Sequence, residues 1–271
     1  TQPAVTGPVG SLFLIKSYML KYGQWAVSEL FFRLFRGLAA DCFPCSLPEV
    51  RPPDLDERLP APPWLAVIVG GVKSGKSVLV TNLVLSSTMY RGCWKEILLI
   101  SPTCEHDASI KPIKECEATT RVNKYEDVVV QALIDRLEAE KESEGAMQPR
   151  LLILDDCVGD IKQASAVTYL CTRYRHFNLS IIISTQVYRG IPNTIRTNAT
   201  LYALFKNFNQ KEVQKMDEEF GGSFPDFLEM YRKATRKKHS FLLLDLREMT
   251  AWVRLFADLL YSRDDDYDDE D

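Results

Sequence analysis

Three observations in the 271-residue chain predict an α/β domain of three layers, a mostly parallel central sheet with helices on both faces. Apolar, β-rich runs alternate with helix-length segments from residue 64 onward, the pattern of strands joined by crossover helices. The stretch Gly70-Gly71-Val72-Lys73-Ser74-Gly75-Lys76-Ser77 stands between one such run and a helical segment. It fits G-x-x-x-x-G-K-[ST], a loop whose backbone N–H groups cradle phosphates. Farther on, Leu151-Leu152-Ile153-Leu154 ends in Asp155-Asp156, which delivers two carboxylates to the sheet edge where open α/β sheets bind ligands.

Each element has a local reason. Trp64 to Val69 is a short apolar run after a proline pair and reads as a buried strand. Ser77 to Leu85 begins a helix, whose dipole and unpaired N–H groups add to the anion site. Glu96 to Ser101 is a second strand, stopped by Pro102, and Thr103 to Lys124 is a polar excursion at the sheet's edge. Residues 126–142 give an amphipathic helix through Val130, Leu133, Ile134 and Leu137. After the strand at 151–154 come a helix over 163–175 and a buried strand from Leu179 to Ile183, ending in Ser184-Thr185-Gln186. A strand over Ala199 to Lys206, helices near 209–219 and 224–235, and late strands at Phe241–Leu246 and Ala251–Phe256 complete the domain.

The flanks differ in character. Residues 1–62 are expected to form an amphipathic helical segment followed by a linker, with seven prolines between 44 and 63, and the domain edge is placed near Pro63. The face made by Val27, Leu30, Phe31, Leu34, Phe35 and Leu38 would dock on the protein itself, a partner or a membrane surface. Lys16, Lys21, Glu29, Arg33 and Arg36 interrupt the apolar region from 12 to 38, so no spanning helix is expected there. No basic region precedes the first apolar run, so no cleavable signal is expected either. The globular body is taken as 63–257 and the remainder, 258–271, as an acidic tail. Seven of the 37 acids lie in residues 264–271, leaving 30 acids against 33 bases elsewhere, a net of +3 behind the formal −4. The tail reads as a solubilising segment or as a mimic of DNA. Seven scattered cysteines suit a reducing compartment, and Cys42-Phe-Pro-Cys45 lacks the second ligand pair that a metal site needs.

A guanine-reading N-K-x-D is absent. The phosphate loop, the strand ending in Asp155-Asp156 and the block from Arg175-His176 through Ile181 to Ser184-Thr185-Gln186 together resemble the FtsK–HerA superfamily of DNA-pumping ATPases. Within it the chain is similar to the genome-packaging ATPases of nucleocytoplasmic large DNA viruses and virophages. Ser101-Pro102-Thr103, Ile195-Arg196-Thr197-Asn198 and Phe241 to Leu246 add to the likeness, which covers about residues 63–257.

The resemblance implies a P-loop NTPase fold of the additional-strand branch, with sheet order 5-1-4-3-2 over the five expected strands and late strands extending it. It implies ATP and Mg²⁺ as cofactors, with Gly70 to Ser77 around the phosphates and Lys76 neutralising the β- and γ-phosphates. Ser77 and Asp155 would hold the metal. Asp156 takes the place where many members put a Glu that activates water, and is one methylene shorter. Gln186 would sense the γ-phosphate or orient the water. An arginine finger would come from a neighbouring subunit of a ring homo-oligomer. Arg175 is its first candidate and Arg196 its second, ahead of Arg173 and Arg189. The basic run Arg232, Lys233, Arg236, Lys237 and Lys238 would meet DNA phosphates without reading sequence, or is a solvated loop before a strand. The implied function is an ATP-driven double-stranded-DNA motor that packages a viral genome, at the virion or the viral assembly site, with a capsid or portal-vertex partner. A translocase of a mobile element or segregation system is the alternative, and a small-molecule P-loop kinase a more distant one.

Overall fold

The structure, a computed structural model, describes residues 55–144 and 147–263. The expectations for the helical segment at 11–40, for Cys42 and Cys45, and for the acids at 264–271 lie outside the described residues. No helix among the described residues is long and apolar enough to cross a membrane.

Among the described residues, nine strands form one sheet. They are β1 (Leu65–Val69), β2 (Glu96–Ile100), β3 (Thr119–Val122), β4 (Arg150–Asp155), β5 (Leu179–Thr185), β6 (Leu201–Phe205), β7 (Phe241–Asp245), β8 (Thr250–Val253) and β9 (Asp258–Ser262). Their order is β3-β2-β4-β5-β1-β6-β7-β8-β9, with β3 through β6 parallel and β7 to β9 antiparallel. The five strands expected from sequence stand in the predicted order. The excursion after β2 differs from expectation, because it contains a short helix, α2 (Lys111–Lys114), and the edge strand β3. Thr119-Thr120-Arg121-Val122 has one apolar residue in four and no buried face, so no apolar run announced it. Likewise β9 lies where the acidic tail was expected to begin, as an edge strand with Leu260 and Tyr261 packed against the core.

The helices are α1 (Lys76–Leu85), α3 (Asp127–Glu144), α4 (Ala166–Arg173), α5 (Asn193–Asn198), α6 (Gln210–Phe220) and α7 (Phe227–Ala234). Strand side chains alternate between two apolar layers. Leu65, Val67, Val69, Leu152, Leu154, Ile181 and Ile183 face α3 to α7, while Ala66, Ile68, Leu151, Ile153 and Ile182 face α1. Because both faces are covered, the central strands are continuous apolar runs rather than alternating ones.

Leu55 and Leu59 are buried in the α1-side layer, so packing begins ahead of the edge expected at Pro63. The guanidinium of Arg58 donates to the Phe256 carbonyl at 3.2 Å and lies 4.8 Å from the centre of its ring. Residues 55–62 therefore pack as part of the domain rather than as a free linker.

Candidate nucleotide site

The register of the central strands assembles the site. β5 lies between β1 and β4, pairing Val69 with Thr185 and Asp155 with Ser184. Three strand ends, carrying Gly70, Asp156 and Gln186, thus open onto one sheet edge. Gly70 N–H donates to Thr185 O at 3.1 Å, and Asp156 N–H donates to Ser184 O at 2.9 Å.

The loop after β1 is tightly built. A Cβ on Gly70 would stand 2.6 Å from Phe205 Cβ and 2.6 Å from Ser74 Oγ, so only glycine fits. Gly75 caps α1 in the left-handed region at φ 110°, with no side-chain hydrogen bond to the first turn. By contrast, Ser165 and Thr168 form a capping box on α4. The leading N–H groups of α1 thus lack the cap that satisfies α4, the arrangement that suits an anion. Lys76 Nζ donates to Gly70 O at 2.8 Å and to Gly71 O at 3.3 Å, so the ammonium is held against the loop's own carbonyls.

Asp155 and Asp156, adjacent in sequence, have different environments. Asp155 is 2% exposed and accepts a hydrogen bond from Ser101 Oγ at 3.1 Å. Burial raises its pKa and the neighbouring Asp156 adds to the rise, against Ser101 and the charge of Lys76. Asp156 turns out of the strand at φ 50°, a conformation that aspartate tolerates better than most residues. Its carboxylate accepts from Gln186 Nε2 at 3.2 Å. Lys76, Ser77, Asp156, Gln186, His239 and Arg254 line one cleft of about 1000 Å³.

The oxygen donors fit Mg²⁺. Among the described residues no three His, Cys, Asp or Glu side chains cluster as a protein-only metal cage. A hard cation held by one hydroxyl, one buried carboxylate and phosphate oxygens needs none. Asp155's burial, which disfavours its charge, is what a bound cation would offset.

The arginines separate. Arg175 is exposed in the short turn Tyr174–Phe177 that leads into β5, with Nε donating to Tyr174 Oη at 3.1 Å. It therefore stands at the opposite end of β5 from Gln186, about 20 Å away along the strand. No phosphate on this protomer's loop is within its reach. Arg196 is engaged inside its own protomer. It pairs with Glu219 at 3.0 Å and donates to Ile191 O at 2.6 Å and to Asn193 Oδ1 at 3.2 Å. A guanidinium so engaged ties α5 to α6 within its own protomer. Arg189 is paired with buried Glu212 at 2.9 Å, and Arg173 donates to the Tyr169 hydroxyl.

The basic run borders the site. Arg232 and Lys233 lie on the last turn of α7, and Arg236, Lys237 and Lys238 in the turn to β7. All five are exposed, and the last three share a cleft of about 410 Å³ with Gly71 to Ser74. Ser101, His239 and Arg254 join the site without belonging to its sequence motifs. Ser101-Pro102-Thr103 after β2 was a signal for the first, whereas the other two arrive through the β6–β7–β8 pairing alone.

Residues 55–244 match the family described as Poxvirus A32 protein. The chain belongs to that family. This A32-family chain is 27% identical over 163 residues to DNA packaging protein OPG160 of monkeypox virus, covering 59% of this chain and 53% of that protein. It is 25% identical over 175 residues to uncharacterized protein 075L of invertebrate iridescent virus 6, covering 59% of this chain and 61% of the relative. The chain thus spans between half and two thirds of the length of these relatives. Among solved structures it is similar to the genome packaging NTPase B204 from Sulfolobus turreted icosahedral virus 2 in complex with AMP. The TM-score is 0.53 at 18% identity, over 70% of this chain and 96% of that one, a likeness of fold.

Asp155 carries a stability prediction for the A32-family chain. An acid whose folded pKa is raised favours folding while protonated, and that contribution is lost as pH rises through the folded pKa. Asp155→Asn, which keeps an acceptor for Ser101, should therefore raise the melting temperature at neutral pH while lowering turnover. The gap should narrow in acid, where Asp155 is itself neutral. Melting curves across pH check this, and a lower melting temperature for the variant at neutral pH refutes it.

Proposed function

We propose that the chain is an ATP-hydrolysing motor that translocates double-stranded DNA and packages a viral genome into a preformed capsid. The observation that carries this reading is the shared cleft of Lys76, Ser77, Asp156 and Gln186, in a chain of the A32 family. ATP would lie with its β- and γ-phosphates over Gly70 to Ser77. Lys76 would leave the carbonyls of Gly70 and Gly71 for the phosphate oxygens. Ser77 and Asp155 would hold Mg²⁺, which supplies charge neutralisation on the phosphates when bound. Asp156 would take the proton of the attacking water, with Gln186 orienting it through the bond the two side chains share. The bond from the bridging oxygen to the γ-phosphorus breaks, and ADP keeps the electron pair.

Arg175, at the far end of β5, is supported only as a finger acting in trans, which requires a ring or another oligomer of this chain. Arg232, Lys233, Arg236, Lys237 and Lys238 form the sequence-independent contact to DNA phosphates. A capsid or portal-vertex protein is the further partner, and the viral assembly site or the virion is where the motor acts. The test is the ATPase rate of the full chain with and without long double-stranded DNA at low salt. Stimulation is the expected result; a rate indifferent to DNA in the assembled protein excludes the motor.

A further inference from the structure

The basic run does more than lie near the phosphate loop, because the residue that follows it touches the loop. His239 follows Lys238 directly, and its Nδ1 lies 3.0 Å from the carbonyl oxygen of Ser74. A carbonyl only accepts, so Nδ1 carries the proton in this bond. The same ring packs on the next residue: a Cβ on Gly75 would stand 3.5 Å from His239 Nδ1 and 3.6 Å from its Cβ. His239 itself is held at φ 58°, a left-handed conformation.

The turn that carries it is anchored at both ends and open between. Thr235 Oγ1 donates to Tyr231 O at 2.7 Å, and Tyr231 Oη donates to Phe205 O at 2.8 Å, fixing α7 to the end of β6. On the other side Ser240 is buried and accepts from Arg254 Nε at 3.3 Å. Arg236, Lys237, Lys238 and His239 are the exposed residues between those anchors.

The geometry has a consequence inside the loop. A trans peptide is planar, with its C=O and N–H pointing in opposite directions. Pinning Ser74 O toward His239 therefore turns Gly75 N–H away from the basic turn. That N–H opens the helix N-terminus, one of the donors the motif offers to phosphate.

We propose that His239 is a positioning residue of the phosphate loop, through which a polyanion bound on Arg236, Lys237 and Lys238 sets the orientation of the Ser74–Gly75 peptide and hence nucleotide turnover. DNA bound to this turn would act on hydrolysis through one hydrogen bond, without touching the nucleotide. The inference rests on the motor reading and names the part of it that couples DNA to ATP.

Two substitutions test it in the full chain. His239→Gly removes the ring but keeps a residue at ease with positive φ. His239→Asn also tolerates that conformation and places an amide N–H where Nδ1 stands. The readout is the ratio of DNA-stimulated to basal ATPase rate, with the DNA concentration giving half-maximal stimulation. For His239→Gly the ratio should fall about threefold to tenfold, the size of one lost hydrogen bond. Half-maximal DNA should stay where it is, since the phosphate contacts remain. His239→Asn should restore most of the ratio. A merely structural histidine would lower basal and stimulated rates together and leave the ratio intact, which overturns the proposal. So does a glycine variant with an unchanged ratio, or an asparagine variant no better than glycine. If the unaltered chain shows no DNA stimulation, the motor reading fails with it; an unaltered chain that is stimulated isolates the role of His239.

Discussion

Lys76→Ala should reduce ATP turnover to background, a loss of about a hundredfold to a thousandfold or more. The reason is in the loop's charge arrangement. The Lys76 ammonium sits between Gly70 O at 2.8 Å and Gly71 O at 3.3 Å, at the base of the same cleft as Asp156 and Gln186. Lys73 lines the same cleft but is exposed, whereas Lys76 is buried against the loop carbonyls. In the proposed reaction a positive charge in that place would stabilise the phosphoryl group as it transfers. Removing it leaves backbone donors alone. The fold should survive, because Lys76 holds the loop through two hydrogen bonds while the helix and strand beside it carry the packing. Circular dichroism of the variant and a turnover assay separate the two effects. Residual activity near that of the unaltered chain means the nucleotide is hydrolysed elsewhere.

The second large effect belongs to Asp156. Asp156→Asn keeps the size of the side chain and suits the left-handed backbone at φ 50°. An amide oxygen still accepts from Gln186, so geometry is conserved while the proposed base is lost. Turnover should fall about 10²- to 10⁴-fold, the range for removal of a general base. Binding of a non-hydrolysable ATP analogue should change little. Asp156→Glu reaches one methylene farther but is less at ease at positive φ, and it should keep a measurable part of the rate. An Asn variant that turns over normally removes Asp156 from the chemistry. The same residue serves a mixing experiment with Arg175. Arg175→Ala and Asp156→Ala subunits, each inactive alone, should regain activity when co-assembled, since a mixed interface joins an intact Asp156 to a neighbour's intact Arg175. No recovery in a demonstrated mixed assembly makes a trans finger at Arg175 untenable.

Much of the site was legible because its parts are local. Gly70 to Ser77 is eight consecutive residues, and glycine at 75 answers a local left-handed turn, although glycine at 70 is also required by Phe205 of β6. Asp155-Asp156 and Gln186 end apolar strands, and a strand's end is visible wherever an apolar run stops. Arg196 shows the limit of that approach. A sequence block places an arginine near a strand, but Glu219, 23 residues on, decides whether its guanidinium is free. The short polar strand β3 and the edge strand β9 were missed for a related reason. Edge strands have no buried run to announce them, and pairing with β2 or β8 is what makes them strands.

What the chain order alone predicts, then, is the fold class, which the sheet bears out, and the motifs of a phosphate loop and its carboxylates, since each depends on residues close in sequence. Its folded form adds the relations among them. Ser101 reaches Asp155 across 54 residues, His239 reaches Ser74 across 165, and Arg58 reaches Phe256 across 198. Such contacts are set by strand order and register, which arise from packing both faces of a nine-stranded sheet at once. No local pattern encodes them. They are also the contacts that turn a phosphate loop into a site with a buried carboxylate below it and a basic turn against its outer side.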